Sequence, residues 1–560
     1  MLTLSTRPQF QHLLQAQVLS ASDEQAPALI YVQTDAEAQV ITRAVFRQQV
    51  RAYAQALQRM GIAPRDLLII AHTQNLESIY AFWGTLLLGA IPSMFPTLTE
   101  KLDRHLYMQS MAELVSLSQV RAVLTTDEFA PELQARLSCP VLGSQSLLGQ
   151  GLADALAPSY VPQADEVAFL QHSSGTTGLQ KGVALSHQAV LNQLASYSTA
   201  LALDERDIVV SWLPLYHDMG LIAGFILPLM QGIPLVLMSP FDWVRHPALL
   251  LRAIHDYQGT LCWLPNFAYN HMARRIRQRD SEGLSLASMR AFINCSEPVR
   301  ADSHALFLER FALNGVRAEQ LSVSYAMAEN TFAVSQTPTG VPLRHDLIDR
   351  VVLMEQGEAR PVAPEHPNLL IQVTCGAPIV GTQVKVVDEQ GHPLPERRVG
   401  EILVKSDCML TGYYRRDDLK PFDVQGWYDT GDKGYLAEGE VFVIGRTKDL
   451  IINAGKNVYP QDLEAIVNGV EGVHAGRAVV FGVPDEREGT ELIAVVAEVD
   501  ESDPDAQRRI GQAIRQAIAQ ASDVTVNYVK LVQAGWLIKT SSGKISRSKN
   551  RDKWLSEQPS

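Results

Sequence analysis

The residues best suited to bind a polyphosphate lie in one short stretch, 173–182, which reads SSGTTGLQKG. Its three glycines would let the backbone approach a ligand closely and turn amides toward it. Its four hydroxyl side chains and Lys181 would add hydrogen-bond donors. The stretch is not a Walker A loop, because Gly182 rather than Ser or Thr follows the lysine. We interpret it as a phosphate-binding loop, and a flexible serine- and glycine-rich loop is the alternative.

Two further stretches fit a nucleotide. Residues 428–432, YDTGD, are predicted to form a turn with two carboxylates, and a carboxylate suits the paired hydroxyls of a ribose. A plain turn is the alternative, for which these residue types are equally suited. Residues 445–449, GRTKD, lie where the sequence pattern changes, as at a domain junction. Taken alone, they fit a solvated charged turn better than a site.

Near the C-terminus, the stretch 539–545 reads KTSSGKI and contains Lys544. A lysine on a loop of glycine and hydroxyl residues can bring a positive charge to a developing anion. The basic residues at 547, 549, 551 and 553 are interpreted as a solvated tail, and the arginines at 274, 275, 277 and 279 as a helix surface. Asp302 and Ser303 could suggest a phosphopantetheine attachment site, but they lie inside a helical pattern.

The composition narrows the class of protein. Of the 560 residues, 46% are apolar and 19% are charged, so the chain can bury a large core. A net charge of −13 argues against a protein that coats nucleic acid. The five cysteines never form a CxxC pair, which argues against a disulfide framework or structural zinc and fits a reducing, cytoplasmic compartment. The N-terminus shows no secretory signal.

The elements that must position these residues change along the chain. Between about 165 and 325, apolar runs alternate with helix-length segments, which is typical of a mainly parallel sheet covered by helices. The apolar run 219–238 contains Pro and Gly, so it predicts a buried helix and strand rather than a membrane span. After about 375, alternating segments predict an antiparallel, barrel-like region. The predicted fold is α/β: a large N-terminal body, 1–447, of parallel sheets flanked by helices plus the barrel-like β region, and a small α+β domain, 448–560.

The order of these pieces resembles that of the adenylate-forming superfamily of acyl- and aryl-CoA ligases, luciferases and peptide-synthetase adenylation domains. The resemblance covers nearly the whole chain, most clearly 165–550. Within it, the chain is most similar to the fatty acyl-AMP ligases, which feed fatty acids to acyl carrier proteins of polyketide and nonribosomal pathways. This closer similarity rests on the stretches SWLPLYHDMGL (211–221), LMSP (237–240), PNFAY (265–269), EPVR (297–300) and YPQDLE (459–464).

The resemblance implies ATP as cosubstrate, Mg²⁺ as metal and a role for each candidate residue. Lys544 would contact the substrate carboxylate and α-phosphate, His217 would border the acyl pocket, and Lys448 would be the hinge of a mobile C-terminal domain. Thr176 and Glu329 would hold the metal, and Glu329 is grouped with Lys544 and His217 as catalytic. The implied nucleotide-binding residues are Ser173, Ser174, Gly175, Thr176, Thr177, Gly178, Lys181, Ser296, Glu297, Pro298, Tyr325, Ala326, Met327, Asp432 and Arg446.

The chain departs from the family pattern at several positions. Gln180 and Ile538 replace prolines, Ala326 replaces a glycine after Tyr325, and Cys295 and Ser296 alter an Asn-Gly-Ala-Glu-Pro run. These changes bear more on acyl specificity than on ATP chemistry. The 47 residues from Glu329 to Gly376 resemble the insertion of fatty acyl-AMP ligases, placed here at about 338–373. That insertion is thought to hinder the rotation needed for CoA thioesterification, and an inconsequential surface loop is the alternative.

The implied reaction joins a fatty or similarly apolar carboxylic acid to AMP with release of pyrophosphate, followed by transfer to a carrier protein supplied in trans. No nucleic-acid partner or transmembrane segment is expected. An acyl-CoA ligase and a non-catalytic nucleotide-binding relative are the alternatives. An esterase is a weaker one, because the Gly-x-Ser-x-Gly elbow is absent around Ser173 and Ser174.

Overall fold

The computed structural model describes residues 10–20, 23–72, 76–98, 104–149, 160–172, 181–453, 456–485, 490–521, 524–540 and 543–558. The chain divides into two compact units. The first comprises Met1–Arg344, Cys375–Gln383 and Val404–Tyr428, and the second comprises His345–Thr374, Val384–Leu403 and Asp429–Ser560. The predicted boundary between residues 447 and 448 falls inside the second unit and stays a prediction.

The strands are short, as expected for an α/β protein. In chain order they are β1 (Pro27–Val32), β2 (Gln39–Thr42), β3 (Leu67–Ala71), β4 (Ile91–Phe95), β5 (Ala122–Thr125), β6 (Val141–Gly143), β7 (Val167–His172), β8 (Gly182–Ser186), β9 (Val209–Ser211), β10 (Leu235–Met238), β11 (Leu261–Leu264), β12 (Ala291–Cys295), β13 (Leu321–Ala326), β14 (Ala333–Gln336), β15 (His345–Asp349), β16 (Leu369–Val373), β17 (Ala377–Pro378), β18 (Thr382–Val387), β19 (Gly400–Ser406), β20 (Gly412–Tyr413), β21 (Tyr428–Ala437), β22 (Glu440–Arg446), β23 (Ile451–Asn453), β24 (Lys456–Val458), β25 (Val473–Asp485), β26 (Thr490–Val499) and β27 (Val526–Val532).

The α-helices alternate with these strands. They are α1 (Arg43–Arg59), α2 (Leu76–Leu87), α3 (Arg104–Ser118), α4 (Ala130–Gln134), α5 (Ser144–Leu148), α6 (His187–Ala200), α7 (Leu227–Gln231), α8 (Pro240–Arg245), α9 (Ala248–Tyr257), α10 (Asn266–Arg275), α11 (Gln278–Ser281), α12 (Ala301–Phe311), α13 (Arg350–Gln356), α14 (Pro460–Asn468), α15 (Pro504–Ala521) and α16 (Arg547–Ser556).

Two sheets form the first unit. One has nine strands in the order β17-β14-β13-β12-β11-β9-β10-β1-β2, and its strands from β13 to β1 are parallel. The other has seven strands in the order β20-β8-β7-β4-β3-β5-β6. Every residue of β9, β10 and β11 is buried, which explains why these runs lack polar alternation. The predicted α/β body with parallel sheets is confirmed.

The apolar run 219–238 folds as expected into a helical segment and a strand. It contains a π-helix, Met219–Ile226, whose eight residues are all buried, followed by α7 and the buried strand β10. Within the described ranges, no helix is long and apolar enough to cross a membrane. All five cysteines lie in the described ranges, where they are buried and none forms a disulfide.

The barrel prediction is wrong in detail. The region after 375 contributes to a four-stranded sheet of order β18-β19-β21-β22, and no closed barrel forms among the described residues. Residues 428–432 are not a turn either, because they begin strand β21, in which Gly431 has φ +68°. The last part of the chain is α+β as predicted: β25, β26 and β27 form one sheet, and α14 and α15 pack against its core.

Of the segment predicted as an insertion, 338–373, the part from His345 onward is a folded element of the second unit, whereas 338–344 belong to the first. Strands β15 and β16 pair antiparallel and α13 lies between them. Ile348 and Leu353 are fully buried against Tyr435 and Phe442 of β21 and β22. Met354 packs against the core that α14 and α15 share with β25 and β26. The alternative of an inconsequential surface loop therefore does not describe this segment.

Candidate active site

Several predicted site residues of the first unit lie at one edge of its nine-stranded sheet. His217 follows β9, Ser296 directly follows β12, and Tyr325 lies in β13 shortly before Glu329. Because β9, β11, β12 and β13 are adjacent and parallel, the loops at their carboxyl ends emerge on the same side. Ligands of α/β sheets bind at this edge.

An acidic neighbour orients His217. Its Nδ1 lies 2.6 Å from Oδ1 of Asp218, and the His217 side chain is 19% exposed. The same carboxylate oxygen accepts a hydrogen bond from the amide of Met219 at 2.7 Å, so Asp218 caps the buried π-helix. His217 is thereby held directly before a fully apolar helix, where an imidazole can border an acyl pocket.

The turn after β12 carries the predicted residues Ser296, Glu297 and Pro298. Ser296 has φ +69°, a left-handed conformation that few non-glycine residues adopt. The Glu297 carboxylate accepts a hydrogen bond from the amide of Phe267 at 2.9 Å, which satisfies one free donor at the start of α10. Pro298 is exposed. The structure thus gives Glu297 a helix-capping contact, and its nucleotide contact stays a prediction.

The loop after β13 is also strained. Tyr325 is 8% exposed and precedes a β-bulge at Ala326, and the amide of Met327 donates to Phe332 O at 2.8 Å. Thr331 is β-branched yet has φ +61°, a genuine outlier for its residue type. Such strain persists only where the surroundings impose it.

The segment before β20 imposes this conformation. Thr331 Oγ1 donates to Cys408 O at 2.7 Å, and the amide of Leu410 donates to Glu329 O at 2.8 Å. Two hydrogen bonds therefore hold the loop that carries Glu329. One is made within its 3₁₀ turn, Ala328–Asn330, and the other is made by the residue after the turn.

Tyr413 brings the predicted phosphate-binding lysine and metal ligand into one cluster. Lys181 Nζ lies 5.0 Å from the centroid of the Tyr413 ring, and the Tyr413 hydroxyl lies 3.4 Å from Oε1 of Glu329. The hydroxyls of Tyr413 and Tyr428 are 3.0 Å apart. One side chain therefore contacts a cation through its ring and a carboxylate through its hydroxyl.

Burial keeps both phenols protonated. It raises the pKa of Tyr413 to about 12, and the nearby Glu329 carboxylate adds to the effect. Burial also raises the pKa of Tyr428 well above its usual value, again with a contribution from Glu329. At neutral pH, both hydroxyls can donate to the carboxylate and fix its orientation.

Most of the predicted phosphate loop lies outside the described residues. The predicted site residues among these are Ser173, Ser174, Gly175, Thr176, Thr177 and Gly178. Its flanks are described. His172 ends β7, and its Nε2 lies 2.7 Å from Ser93 Oγ. Burial lowers the pKa of His172 to about 4, so the ring is neutral at pH 7. Strand β20 pairs with β8, and Tyr413 lies opposite Val183, two residues after Lys181.

The second unit pairs the two residues predicted to approach the ribose. Asp432 of β21 lies opposite Arg446 of β22, and Arg446 Nε is 3.3 Å from Oδ1 of Asp432. The Asp432 side chain is 13% exposed whereas that of Arg446 is 51% exposed. Because half of the Arg446 side chain is exposed, its guanidinium can bind a phosphate group while it remains close to Asp432.

Lys448 and Lys544 also belong to the second unit. Lys448 is exposed in a 3₁₀ turn, Thr447–Asp449, directly after β22. Lys544 is paired with the chain before it, because the amide of Thr540 donates to Lys544 O at 2.7 Å and Lys539 forms an antiparallel bridge with Ile545.

Arg547 connects these two predicted functional segments. Its guanidinium binds Asp449, the neighbour of Lys448, at 2.5 Å. It also donates to both carboxylate oxygens of Glu464, at 2.8 and 3.0 Å, and to Val480 O at 2.9 Å. Although its burial alone would lower the pKa of Arg547, the two carboxylates raise it overall. The interpretation of a solvated tail is therefore wrong for Arg547, whose side chain at the start of α16 is only 20% exposed and is held by two carboxylates.

The residues fit a magnesium ion that arrives with a nucleotide. Mg²⁺ is usually held by one or two carboxylates together with substrate phosphates, and Glu329 supplies one oriented carboxylate. Over the described ranges, no group of three His, Cys, Asp or Glu residues could hold a metal alone.

Sequence reasoning missed Tyr413 and Thr331, and it quoted Tyr428 only as part of a turn. A conformational outlier such as Thr331 leaves no trace in residue type. Tyr413 lies in the stretch Gly-Tyr-Tyr at 412–414, which has no polar pattern that would single it out.

Comparison with known proteins identifies the family of the chain. Residues 15–414 match the AMP-binding enzyme family. The chain is 32% identical to the medium-chain-fatty-acid–[acyl-carrier-protein] ligase JamA of Moorena producens, over 91% of this chain and 88% of that one. It is 30% identical to the long-chain-fatty-acid–AMP ligase FadD32 of Mycolicibacterium smegmatis, over 92% and 89%.

A solved structure from a study of fatty acyl-adenylate ligases of E. coli and L. pneumophila superposes with a TM-score of 0.89. It is 26% identical in sequence, with 98% of both chains covered. Members of this superfamily form adenylates from ATP. The chain therefore belongs to the AMP-binding family of adenylate-forming enzymes and is most like the fatty acyl-AMP ligases within it.

Proposed function

We propose that the protein activates a fatty acid with ATP to give acyl-AMP and pyrophosphate. The observation that carries this proposal is the cluster of Lys181, Tyr413 and Glu329, which sets a cation and an oriented carboxylate beside the predicted phosphate loop. It agrees with the names of the relatives, which include ligases that form fatty acyl-AMP.

In this reaction, a carboxylate oxygen of the fatty acid bonds to the α-phosphorus of ATP. The bond from that phosphorus to the bridging oxygen of the β-phosphate breaks, and pyrophosphate leaves with the electron pair. Both reactants are anions, so positive charge from Lys181 and Lys544 would favour their approach and stabilise the leaving group. Glu329, with Thr176, would hold Mg²⁺, which neutralises phosphate charge when bound.

The surroundings of His217 favour an apolar acyl group. The π-helix that follows it is buried throughout and contains no charged residue. Asp242 is the candidate that the sequence offers to bind an α-amine, but it lies in the first turn of α8, where a negative side chain stabilises the helix dipole. These features support a fatty acid over an amino acid as substrate.

For the second step, we propose transfer to the phosphopantetheine thiol of a separate carrier protein. The thiol sulfur bonds to the acyl carbon, AMP leaves, and the thiol proton is lost. The relative JamA is named for transfer to an acyl carrier protein, which supports this acceptor. We further propose that 448–560 acts as the mobile domain and Lys448 as its hinge, as the resemblance implies.

The test is pyrophosphate release over a panel of medium- and long-chain fatty acids, aryl acids and amino acids, each with and without CoA. Glu329→Gln should abolish release, whereas Glu309→Gln, an exposed glutamate on α12, should leave it unchanged. Amino acids outcompeting fatty acids would contradict the proposed substrate. Rapid, complete acyl-CoA formation would instead establish the alternative, an acyl-CoA ligase.

A further inference from the structure

Large apolar side chains reach the surface on two neighbouring helices of the first unit. Phe241 and Val244 of α8 are 41% and 39% exposed, and Phe267 of α10 is 39% exposed. Between them, the buried Trp243 stacks on Trp212 with ring centroids 3.6 Å apart and meets Phe267 edge-on at 6.2 Å. Phe267 is therefore the partly exposed edge of an aromatic cluster whose other members, Trp212 and Trp243, are buried.

Uncompensated arginines flank these apolar side chains. Arg245 ends α8, and Arg274 and Arg275 lie in the last turn of α10. All three are exposed, and none forms an ion pair or hydrogen bond with any other residue that the structure describes. Arg274 follows Phe267 by two helical turns, so both lie on one face of α10 about 10 Å apart.

The charge of this surface contrasts with that of the whole chain. The nearest acidic side chain on the following helix, Asp280, is already paired with Arg277 and Arg279. Asp242 of α8 and Glu297, whose carboxylate accepts from the amide of Phe267, also lie beside these side chains. Three arginines against these two carboxylates leave a small positive excess around the apolar centre on a chain of net charge −13, which favours an acidic partner.

The topology places this surface beside the site. Helix α8 begins at the carboxyl end of β10 and α10 at the carboxyl end of β11, and these two strands flank β9. His217 follows β9 at the same edge. A partner that docks here would therefore lie at the same edge of the sheet as His217.

We propose that Phe241, Val244, Arg245, Phe267, Arg274 and Arg275 form a docking surface, the α8–α10 surface, for the carrier domain that receives the acyl group. The partner would present an acidic helix with an apolar centre. Aromatic and arginine side chains dominate interface hot spots, and electrostatic complementarity speeds encounter. The proposal rests on the proposed function, which supplies the carrier as acceptor.

A lipid surface fits these observations less well. Membrane-lying helices present a long apolar face, whereas α8 has six residues and each exposed apolar side chain is less than half exposed. The carrier is therefore favoured, and lipid binding becomes an outcome of the test.

The test measures transfer from acyl-AMP to the phosphopantetheine-bearing carrier domains encoded in the same genome. Two variants alter the surface: Arg274→Glu with Arg275→Glu, and Phe241→Ser with Val244→Ser. Arg51→Glu with Arg136→Glu is the matched control, because both arginines are exposed and lie away from this surface, Arg51 on α1 and Arg136 in the turn after α4. Both surface variants should raise KM for the carrier about tenfold or more, while fatty-acid-dependent pyrophosphate release stays unchanged. The arginine variant should also flatten the salt dependence of transfer.

Several results would overturn the proposal. One is that the surface variants and the control variant have equal KM values for the carrier. Another is that the unaltered protein transfers the acyl group to none of the carrier domains. A third is that the surface variants lose binding to phosphatidylglycerol vesicles but keep normal transfer to the carrier. An absence of pyrophosphate release in the unaltered protein would instead defeat the proposed function, so the two failures are distinguishable.

Discussion

Tyr413 contacts two charged groups through different parts of one side chain, so its contributions can be separated. Tyr413→Phe keeps the ring near Lys181 and removes the hydroxyl that orients Glu329. We expect the Mg²⁺ concentration for half-maximal pyrophosphate release to rise about tenfold, because a hydrogen bond to a charged group contributes about 1.5–3 kcal/mol. Tyr413→Leu should in addition raise KM for ATP. Tyr414→Phe is the control, and an unchanged Mg²⁺ requirement in Tyr413→Phe would refute this role.

Lys544 is placed by backbone pairing rather than by packing, so its charge can be removed without a cavity. Lys544→Ala should lower acyl-adenylate formation by about 10²–10³, the usual effect of losing one preorganised charge at a reacting anion. Thermal unfolding and ATP binding should change little. Lys539→Ala, in the segment paired with it, is the comparison, and near-normal pyrophosphate release by folded Lys544→Ala would remove Lys544 from the catalytic set.

At the residue scale, sequence reasoning identifies groups whose chemistry is visible in residue type. Lys181 is recognisable because a lysine near glycine and hydroxyl residues suits phosphates. Glu329 is assigned only through the resemblance to the family, since its neighbours at 326–328 carry no such pattern. Tyr413 and Arg547 are not recognisable, since an aromatic or a basic residue gains its role only from partners distant in sequence, such as Glu329 or Asp449.

At the scale of elements, the π-helix Met219–Ile226 depends on close approach to the strand before it. A Cβ added at Gly224 would lie 2.6 Å from Ser211 Oγ of β9. Gly224→Ala should therefore destabilise the protein by about 1–3 kcal/mol through overpacking. Ser211→Ala in the same chain should recover part of this loss in thermal unfolding, although it removes the hydrogen bond from Leu213 N. Equal stability of the single and double variants would contradict this steric account.

The apolar runs predicted the parallel strands well, because burial on both faces leaves a continuous apolar pattern. The antiparallel region was predicted less well. Residues 428–432 have the composition of a turn, yet they form the start of β21. Pairing of β21 with β22 outweighs the local preference for a turn. The left-handed φ of +68° in this stretch falls on Gly431, which adopts it without steric cost. The barrel prediction failed for another reason: alternation of polar and apolar residues predicts strands, but it does not predict whether their sheet closes. The sheet formed by β18, β19, β21 and β22 is open.

At the scale of the molecule, the segment 345–374 joins two parts of the second unit. Its residues Ile348 and Leu353 pack against Tyr435 and Phe442, and its helix α13 meets the C-terminal α+β part through Met354. Arg350 also donates to the carbonyl of Ala521 at the end of α15. The sequence indicated an inserted segment by its length, but its contacts depend on the three-dimensional fold.

We propose that these contacts influence the choice of thiol acceptor in the proposed second step. Suppose that 448–560 must rotate between an adenylate-forming and a thioester-forming arrangement. The contacts of α13 with 448–560 then oppose the rotation only if they exist in the first arrangement and are lost in the second. A bias of about 3 kcal/mol would leave the thioester state under about 1% populated. A carrier could offset this bias through its interface, whereas free CoA makes fewer contacts.

The sharpest test alters α13 and keeps the rest of the segment, because trimming 340–372 would uncover Tyr435 and Phe442 and destabilise the unit. Arg350→Ala with Met354→Ser removes two of the contacts that α13 makes with the C-terminal part, although α13 also contacts strand β24. We expect acyl transfer to CoA to rise about tenfold, since each 1.4 kcal/mol changes a population tenfold, while pyrophosphate release stays constant. Ile371→Ser, on the exposed side of β16, is the control. If CoA transfer by the double variant equals that of the control, α13 does not set the acceptor preference, and a preference for carrier over CoA must then come from the carrier's own docking.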